Sequence, residues 1–230
     1  MPGRIIFAKV WGSRSHNCHT DNSDWDYAGV YICPTSQILS LHPPEDTKKH
    51  DSPEKKEDNP DRQFHEVGKF CSLLIKGNPA ILEMLFTDRM CLESEEWLRL
   101  KKIRDRFLSA EAVHQYLGYM EGQLKRLIKE QPLHSKGGTY NEKWFYHCMR
   151  LMSDAKRIAQ RQAPEIWKEG AERAFLLDIR HYKYSKEDAI KFIGDAILEV
   201  EALKPYGIPQ LGDEEALNDW LLTLRKENWQ

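Results

Sequence analysis

Hydrophobic residues change their spacing along the chain, and the change separates two kinds of structure. The stretches RIIFAKV, from Arg4 to Val10, and WDYAGVYIC, from Trp25 to Cys33, are rich in β-branched and aromatic residues. This composition is typical of short buried strands. Gly12 and Ser13 interrupt the first pattern, and the polar residues after them predict a loop between the two strands.

A charged segment separates these strands from the rest of the chain. Residues 43–60, PPEDTKKHDSPEKKEDNP, consist mainly of proline and charged residues. They predict a solvated or partly disordered insertion, and the simplest role for it is a surface loop without chemistry. Beyond it, two runs of apolar residues recur at helical spacing: Phe64, Val67, Phe70, Cys71, Leu74 and Ile75, then Ile81, Leu82, Leu85 and Phe86. The residues Gly77-Asn78-Pro79 separate the two predicted helices.

The remaining residues are predicted to be mostly helical. Ser185, followed by Glu187 and Asp188, is typical of a helix N-cap with an acidic first turn. A small strand-bearing N-terminal part followed by a helical C-terminal part indicates an α+β architecture, with helices beside the sheet or forming a second lobe. The predicted helices lie near 93–103, 109–130, 141–161, 164–178, 185–203 and 213–226.

Composition excludes several classes of protein. The chain has 230 residues, of which 40% are hydrophobic and 30% are charged, and its formal net charge is −2. These values favour a globular protein of one domain or two small ones, and they exclude a disordered chain and a uniformly basic nucleic-acid coat protein. No apolar run reaches the roughly 18 residues that a membrane span needs, and the N-terminus lacks the features of a signal peptide.

The cysteines do not indicate a disulfide framework. There are five of them, widely spaced along the chain. An odd number with such spacing favours a reducing, cytoplasmic location. His16, Cys18 and His19 form the tightest cluster of metal-binding residue types in the sequence, but no second ligand pair follows, so we do not expect a zinc site there.

Two aspartates open the second predicted strand. Asp24 and Asp26 are two positions apart, so a strand would present both carboxylates on one face. Ionised carboxylates that lie so close repel each other, and a divalent cation would remove the repulsion. Magnesium takes oxygen ligands, commonly one or two carboxylates together with substrate phosphates. The pair therefore suggests a metal site, the alternative being a strand edge without chemistry.

Gly12 and Ser13 suggest a phosphate site beside this pair. Glycine lets the backbone approach a phosphate closely, and the Ser13 hydroxyl and successive backbone N–H groups can donate to anionic oxygens. Arg14 adds a bidentate donor. Each motif alone is common in proteins. Their order along the chain points to a site for a nucleoside triphosphate with a bound metal.

The residues that carry these motifs resemble a known family. The stretch VWGSRSHNCHTDNSDWDYAGVYI is similar to the signature of polymerase-β-like nucleotidyltransferases, in which Gly-Ser and a spacer precede Asp-x-Asp. Together with DRQFHEVGKFCSLLIKGNPAILEMLF, it resembles more closely the RNA repair pathway DNA polymerase β family, whose members combine GSR, S-D-x-D and K-x-N-P-x-x-x-E. The resemblance covers about the first 90 residues and continues more loosely through WFYHCMRLM and LLDIRHYKYS. The matching residues are Gly12, Ser13, Arg14, Ser23, Asp24, Asp26, Lys76, Asn78, Pro79 and Glu83.

The resemblance implies both a fold and a reaction. It implies a small mixed-sheet nucleotidyltransferase domain over residues 1–90, with residues 43–60 as an insertion, and a largely helical domain over residues 91–230. The reaction would transfer a nucleotidyl group from a nucleoside triphosphate to an acceptor hydroxyl, with three carboxylates holding Mg²⁺ or Mn²⁺.

Two of these carboxylates match Asp24 and Asp26, and the third is expected to be Asp61, with Glu66 as the alternative. Asp61 has a second interpretation, as the N-cap of the helix that follows it.

The resemblance also suggests residues that contact the nucleotide. These are Gly12, Ser13, Arg14, Ser15, Lys69 and Asn78. Lys69 is a candidate for the triphosphate, although a solvated helix lysine is the commoner case. The sequence Asn78-Pro79 is equally explained by a helix boundary. Tyr27 and His16 are expected to border the same pocket.

Candidates for contact with the acceptor lie in the helical part. The densest basic stretch, RLKKIRDR, contains Arg99, Lys101, Lys102 and Arg104 and would give sequence-independent affinity for nucleic acid, unless it is only a solvated helix face. His147 and Arg150 share a helix face within WFYHCMRLM and are candidates for contact with nucleotide or acceptor.

The sequence therefore predicts a metal-dependent nucleotidyltransferase acting on an RNA end, with a nucleoside triphosphate and RNA as partners and no membrane. Two alternatives stay open, namely transfer of AMP to a protein side chain and non-catalytic binding of nucleotide or RNA. The position of Asp61 distinguishes catalysis from binding, because a third carboxylate far from Asp24 and Asp26 would favour a binding module.

Overall fold

A five-stranded sheet forms the N-terminal part of the protein. The computed structural model describes residues 3–52, 56–129, 140–203 and 207–230. β2 and β4 run parallel, whereas the other neighbouring pairs of strands are antiparallel, so the sheet is mixed as predicted. In the order β3-β4-β2-β1-β5, the strands are β1 (Arg4–Val10), β2 (Asp26–Ile32), β3 (Thr47–His50), β4 (Asp61–Glu66) and β5 (Leu92–Glu93).

Helices dominate the chain after the sheet, which confirms the α+β class. The predicted helices near 93–103, 109–130, 141–161, 185–203 and 213–226 are all present with slightly different ends, and residue 130 lies outside the described residues. In the part of the chain that is described, the α-helices are α1 (Thr35–Ile38), α2 (Val67–Ile75), α3 (Pro79–Phe86), α4 (Glu95–Lys101), α5 (Ala110–Lys129), α6 (Glu142–Ala159), α7 (Gly170–Arg180), α8 (Lys186–Glu201) and α9 (Glu214–Glu227).

The helix predicted at 164–178 begins later than expected, at Gly170. Tertiary contacts hold the preceding residues in a non-helical form. The backbone N–H of Lys168 donates to the carbonyl of His16 at 3.2 Å, and the side-chain amide of Asn17 donates to the carbonyl of Lys168 at 3.1 Å. The segment before α7 therefore follows the loop between β1 and β2, which local periodicity does not reveal.

The charged segment 43–60 is not simply a loop. It contains β3, which pairs with β4, while residues 53–55 lie outside the described residues. The prediction that Phe64 belongs to a helix is wrong, since Phe64 lies in β4. Pairing with β2 and β3 decides this conformation, and apolar spacing alone does not report such long-range pairing.

The helix that follows is capped by a residue other than the one predicted. Asp61 opens β4, and the N-cap of α2 is Glu66, whose carboxylate accepts from the backbone N–H of Gly68 at 2.7 Å. The interpretation of Asp61 as a helix N-cap is therefore wrong. By contrast, Ser185 caps α8 in a full capping box with Asp188, as its sequence predicts.

The sheet and its neighbouring helices share one core. Trp97 of α4 stacks on Phe7 of β1 with ring centroids 4.2 Å apart, and it meets the edge of Phe70 of α2 at 5.1 Å. The C-terminal helix α9 packs against both α2 and α4, while α5, α6 and α8 pack together. The domain boundary expected at residue 90 stays a prediction, although β5 joins the sheet just beyond it.

A buried chain of charged side chains connects the sheet region with α6. Glu83 of α3 accepts a hydrogen bond from Arg150 of α6, and Asp154 accepts one from the Lys168 Nζ at 3.0 Å. The His16 Nε2 lies 3.5 Å from the other carboxylate oxygen of Glu83. Because removing one member of a buried ion pair costs several kcal/mol, about 3–5, the two ion pairs fix α6 to α3 and to the segment before α7.

The structure also describes the state of the cysteines and the apolar character of the helices. All five cysteines are free thiols, and Cys91 is the exposed one among them. In the described ranges, no helix has the length and apolar character needed to cross a membrane.

Candidate active site

A glycine turn brings the end of β1 against Asp26. Gly12–Arg14 form a short 3-10 turn, and Gly12 has a φ of +68°. A Cβ at this position would lie 2.7 Å from the Oδ2 of Asp26. Glycine is therefore required both by the left-handed backbone and by the neighbouring carboxylate. The backbone N–H of Trp11 also donates to the Asp26 carbonyl at 2.7 Å, which ties the turn to β2.

A first cavity of about 580 Å³ opens over this turn. Gly12, Ser13, Asp24 and Asp26 line one side of it. Asp24 precedes β2 by two residues, so the loop places its side chain and the strand places that of Asp26. The two predicted motifs, the Gly-Ser turn and the Asp-x-Asp pair, thus share one cavity.

Asp61 lies beside Asp26 in the sheet. The two residues are Cα partners in the parallel pairing of β2 with β4, so their side chains leave the same face of the sheet. Both line a second cavity of about 470 Å³. Asp26 therefore stands between two cavities, one that it shares with Asp24 and one that it shares with Asp61. The Asp61 Oδ1 accepts from the backbone N–H of Ser52 at 2.6 Å.

The residues of the first cavity fit a small divalent cation. Asp24 and Asp26 supply the one or two carboxylates that magnesium commonly takes from a protein. Gly12 has no Cβ, which leaves room at the Asp26 carboxylate. Within the described ranges, no three His, Cys, Asp or Glu side chains converge on a complete protein cage. Asp24 and Asp26 are therefore the residues of this cavity that would hold such a cation.

Two residues predicted to bind nucleotide, Arg14 and Ser15, form hydrogen bonds within the loop. The Arg14 guanidinium donates to the backbone carbonyls of Ser23 and Asp24, at 3.0 and 3.3 Å. Ser15 is buried, and its hydroxyl donates to the Gly12 carbonyl at 3.0 Å. Neither side chain lines the first cavity, so both act on the turn and on the loop that carries Asp24.

The helical part also contributes residues to the lining of the first cavity. Lys143 and His147 come from α6, and Arg180 comes from the end of α7, where it lies 3.6 Å from Glu142. His147 is the predicted residue among these. Burial, with Arg150 and Arg180 nearby, lowers the pKa of His147 to about 3, so its imidazole is neutral at neutral pH. Lys143 and Arg180 add positive charge to the lining that also contains the two aspartates.

Sequence reasoning missed Lys143 and Arg180. Arg180 lies inside the stretch LLDIRHYKYS, and Lys143 lies immediately before WFYHCMRLM. Both stretches carry the looser part of the family resemblance, so the basic residues in them or next to them were the available signal for this cavity. Nothing in the local pattern indicates that the start of α6 and the end of α7 meet at one cavity.

Glu66, the alternative third carboxylate, lies at the other end of β4. It pairs with Tyr31, five residues along the strand from Asp61, which is about 16 Å at the usual rise per residue. Its two carboxylate oxygens accept from the guanidinium of Arg225, each at 2.7 Å. The structure therefore brings Asp61, and not Glu66, next to Asp26.

Lys69 and Asn78 also lie apart from the first cavity. Lys69 lies in the first turn of α2, and its Nζ is 3.3 Å from a carboxylate oxygen of Asp46. The side chain of Asn78 caps α3 by accepting from the backbone N–H of Ile81 at 3.3 Å. The local explanation of Asn78-Pro79 as a helix boundary thus accounts for the geometry.

The candidate acceptor residues other than His147 do not line the first or second cavity. Arg150 is buried in its ion pair with Glu83. Lys102 is exposed, and none of the basic side chains of 99–106 lines the first or second cavity. Three of the four predicted basic residues form ion pairs with acids: Arg99 with Glu227, Lys101 with Glu93 and Asp88, and Arg104 with Asp88.

Comparison with known proteins agrees with the motifs. A family model described as the RNA repair pathway DNA polymerase beta family matches residues 2–218. No curated protein matches the chain. Among solved structures, a nucleotidyltransferase-like protein from Exiguobacterium sibiricum is similar, with 14% identity, coverage of 100% of this chain and 76% of that one, and a TM-score of 0.31. At that TM-score the similarity carries no argument.

Proposed function

The chain belongs to the RNA repair pathway DNA polymerase beta family, and from this premise we propose that it is a metal-dependent nucleotidyltransferase acting on RNA. The donor would be a nucleoside triphosphate, and the acceptor would be a hydroxyl at an RNA end. One observation carries the proposal: the Gly12 turn, Asp24 and Asp26 line a single cavity, with the Asp26 carboxylate directly against Gly12.

The first cavity is proposed as the donor site. The Ser13 hydroxyl and the backbone of the Gly12 turn would donate to phosphate oxygens. Lys143 and Arg180, which line the same cavity, would offset the remaining negative charge of the triphosphate. His147 is neutral there and can donate or accept a hydrogen bond without adding charge.

Asp24 and Asp26 would hold the metal, Mg²⁺ or Mn²⁺. When bound, such an ion would neutralise phosphate charge and lower the pKa of the attacking hydroxyl. The loop carries one of these carboxylates and the strand carries the other, so two different elements position the ligands of the cation. The Arg14 guanidinium donates to the carbonyls of Ser23 and Asp24 and so supports the loop that carries Asp24.

The second cavity is proposed as the acceptor side. Asp61 stands beside Asp26 there, and one of its oxygens is already held by the Ser52 N–H. This anchoring would orient the carboxylate toward an incoming hydroxyl and position it to accept the hydroxyl proton. Because Asp26 lines both cavities, the donor and the acceptor would meet at its carboxylate.

The test is transfer of label from each nucleoside triphosphate, in the presence of magnesium and a pool of cellular RNA. We expect label on RNA with the native protein and none with Asp24→Asn or Asp26→Asn. Asp21→Asn is the matched control, because Asp21 is an exposed acid of the same loop that does not line the cavity. Full transfer by a folded Asp26→Asn protein would refute the proposal. Asp61→Asn should reduce transfer while leaving nucleotide binding intact.

A non-catalytic role in nucleotide or RNA binding is the second candidate. It would use the same Gly12 turn, Asp24 and Asp26 as binding groups of the first cavity. Nucleotide binding that depends on Asp26, without label on any acceptor, would support it. Label on protein instead of RNA would identify protein nucleotidylation, the other alternative.

A further inference from the structure

A third cavity, of about 550 Å³, lies under the loop between β1 and β2. Arg14, Ser15, His19 and Trp25 of that loop line it. Trp25 stands between the two aspartates in sequence, yet it lines this cavity and not the first one. The loop therefore separates two sites, with carboxylates on one side and an indole ring on the other.

Two pairs of arginine and tryptophan face this cavity. The Arg14 guanidinium lies 4.1 Å from the ring centroid of Trp25, and the Arg89 guanidinium lies 3.5 Å from that of Trp167. All four residues line the cavity, and both indole rings are only partly buried. Indole faces and guanidinium planes are the groups on which proteins stack unpaired nucleobases.

The charge of this cavity suits a nucleic acid. Arg14 and Arg89 contribute positive charge, and the acid in the lining, Asp88, lies within 4 Å of Lys101 and Arg104. The apolar side chains of Val10 and Met90 also line the cavity, together with Cys91. The rings and guanidinium groups that line this cavity suit a flat aromatic ring linked to a phosphate backbone better than they suit a free phosphate.

We infer that this third cavity binds an unpaired nucleobase of the RNA acceptor, stacked on Trp25 and Trp167. The inference rests on the proposed function for the identity of the ligand as RNA. The Gly12 turn and the two aspartates line the first cavity, so the triphosphate has its own site. Arg14 contacts both the cavity and the carbonyl of Asp24, so a base bound here would also support the loop at the metal site.

The experiment measures affinity for an end-labelled, unstructured RNA of about ten nucleotides by fluorescence anisotropy. Trp167→Ala and Arg89→Ala are the test variants, because neither residue belongs to the loop that carries the aspartates. Trp167→Phe keeps a stacking face and should restore most of the affinity. Trp229→Ala is the control, since Trp229 is a 60% exposed tryptophan that does not line this cavity. Loss of a stacked base predicts roughly 5- to 100-fold weaker binding by Trp167→Ala.

A second measurement does not depend on the folding of a variant. RNA with one abasic position, moved along the strand, should lose affinity for the native protein at one position. At that position, Trp167→Ala should cause little further loss, because the stacking partner is already missing. Equal affinity for all abasic positions would overturn the inference.

Two further outcomes separate this inference from the proposed function. Weaker nucleoside triphosphate binding by Trp167→Ala, with RNA binding unchanged, would make the cavity a donor-base site and overturn the inference. Position-dependent RNA binding by a protein that transfers no label would support the cavity and refute the transferase. Label transfer together with equal RNA affinity of the native protein, Trp167→Ala and Trp229→Ala would support the transferase and overturn the inference about the cavity.

Discussion

Replacing Gly12 by alanine should damage activity far more than stability. The added Cβ would lie 2.7 Å from the Asp26 Oδ2, whereas ordinary van der Waals contacts begin near 3.4 Å. The carboxylate must therefore move away by about 0.7 Å. A short side chain can make this shift at small cost in folding free energy. The backbone cost is separate, because a left-handed φ in a residue other than glycine costs about 1–2 kcal/mol.

The consequences for catalysis and stability can be worked out separately. A displacement near 1 Å at a reacting centre can cost on the order of 10²-fold in rate, so Gly12→Ala should transfer label about 10- to 100-fold more slowly. Its melting temperature should fall by about 2–8 °C, from roughly 2–4 °C per kcal/mol for a protein of this size.

Gly170→Ala is the matched control for backbone strain. Gly170 also has a left-handed φ, +55°, but a Cβ there would meet no atom within 4 Å. This variant should lose a similar amount of stability and keep its rate. Label transfer and thermal unfolding of the native protein and both variants are the assays. If Gly12→Ala transferred label as fast as Gly170→Ala, the position of the Asp26 carboxylate would not limit the reaction and the reasoning would be refuted.

Three further predictions follow from particular contacts. Arg225→Leu should lower the free energy of unfolding in urea by about 3–5 kcal/mol, because it leaves the buried Glu66 carboxylate without its ion-pair partner. Lys69→Ala should change stability by less than about 1 kcal/mol and leave transfer unchanged, since the pair with Asp46 is largely solvated. The low pKa of His147, about 3, means that the unfolded chain takes up a proton near pH 6.5 that the folded protein does not, so stability falls as pH drops below 6.5, by about 2 kcal/mol at pH 5.

Each of these has a clear contrary result. An Arg225→Leu protein as stable as the native one would mean that Glu66 is satisfied by its backbone partners alone. A large loss of transfer in Lys69→Ala would return Lys69 to the donor site. For the pH effect, His147→Gln should unfold with a shallower acid dependence than the native protein, and identical profiles would contradict the assignment.

Local patterns predicted a large part of this structure. β1 follows from one apolar stretch, the start of α8 follows from an N-cap serine with an acidic first turn, and Pro79 lies in the first turn of α3. The same holds for the core of the candidate site. Gly12, Ser13, Asp24 and Asp26 were recognisable because their chemistry depends on spacing within one loop and the two strands that flank it.

Other parts could not be predicted from neighbouring residues. β4 was expected to be helical from Phe64 onward, because apolar spacing does not reveal pairing with β2. The sequence predicts that the basic stretch 99–106 contacts nucleic acid, but it does not reveal the ion pairs that Arg99, Lys101 and Arg104 form with Glu227, Glu93 and Asp88. Lys143 and Arg180 were missed, since a cavity wall assembled from two helices has no local signature.

The sequence by itself therefore determined the class of the fold, the family and the turn and carboxylates that line the first cavity. These depend on residue types and short spacings, which the chain carries in one dimension. Only the tertiary structure decided that Asp61 stands beside Asp26 while Glu66 lies about 16 Å away along the strand. Strand register and buried ion pairs decide such positions, and both join residues that are distant along the chain.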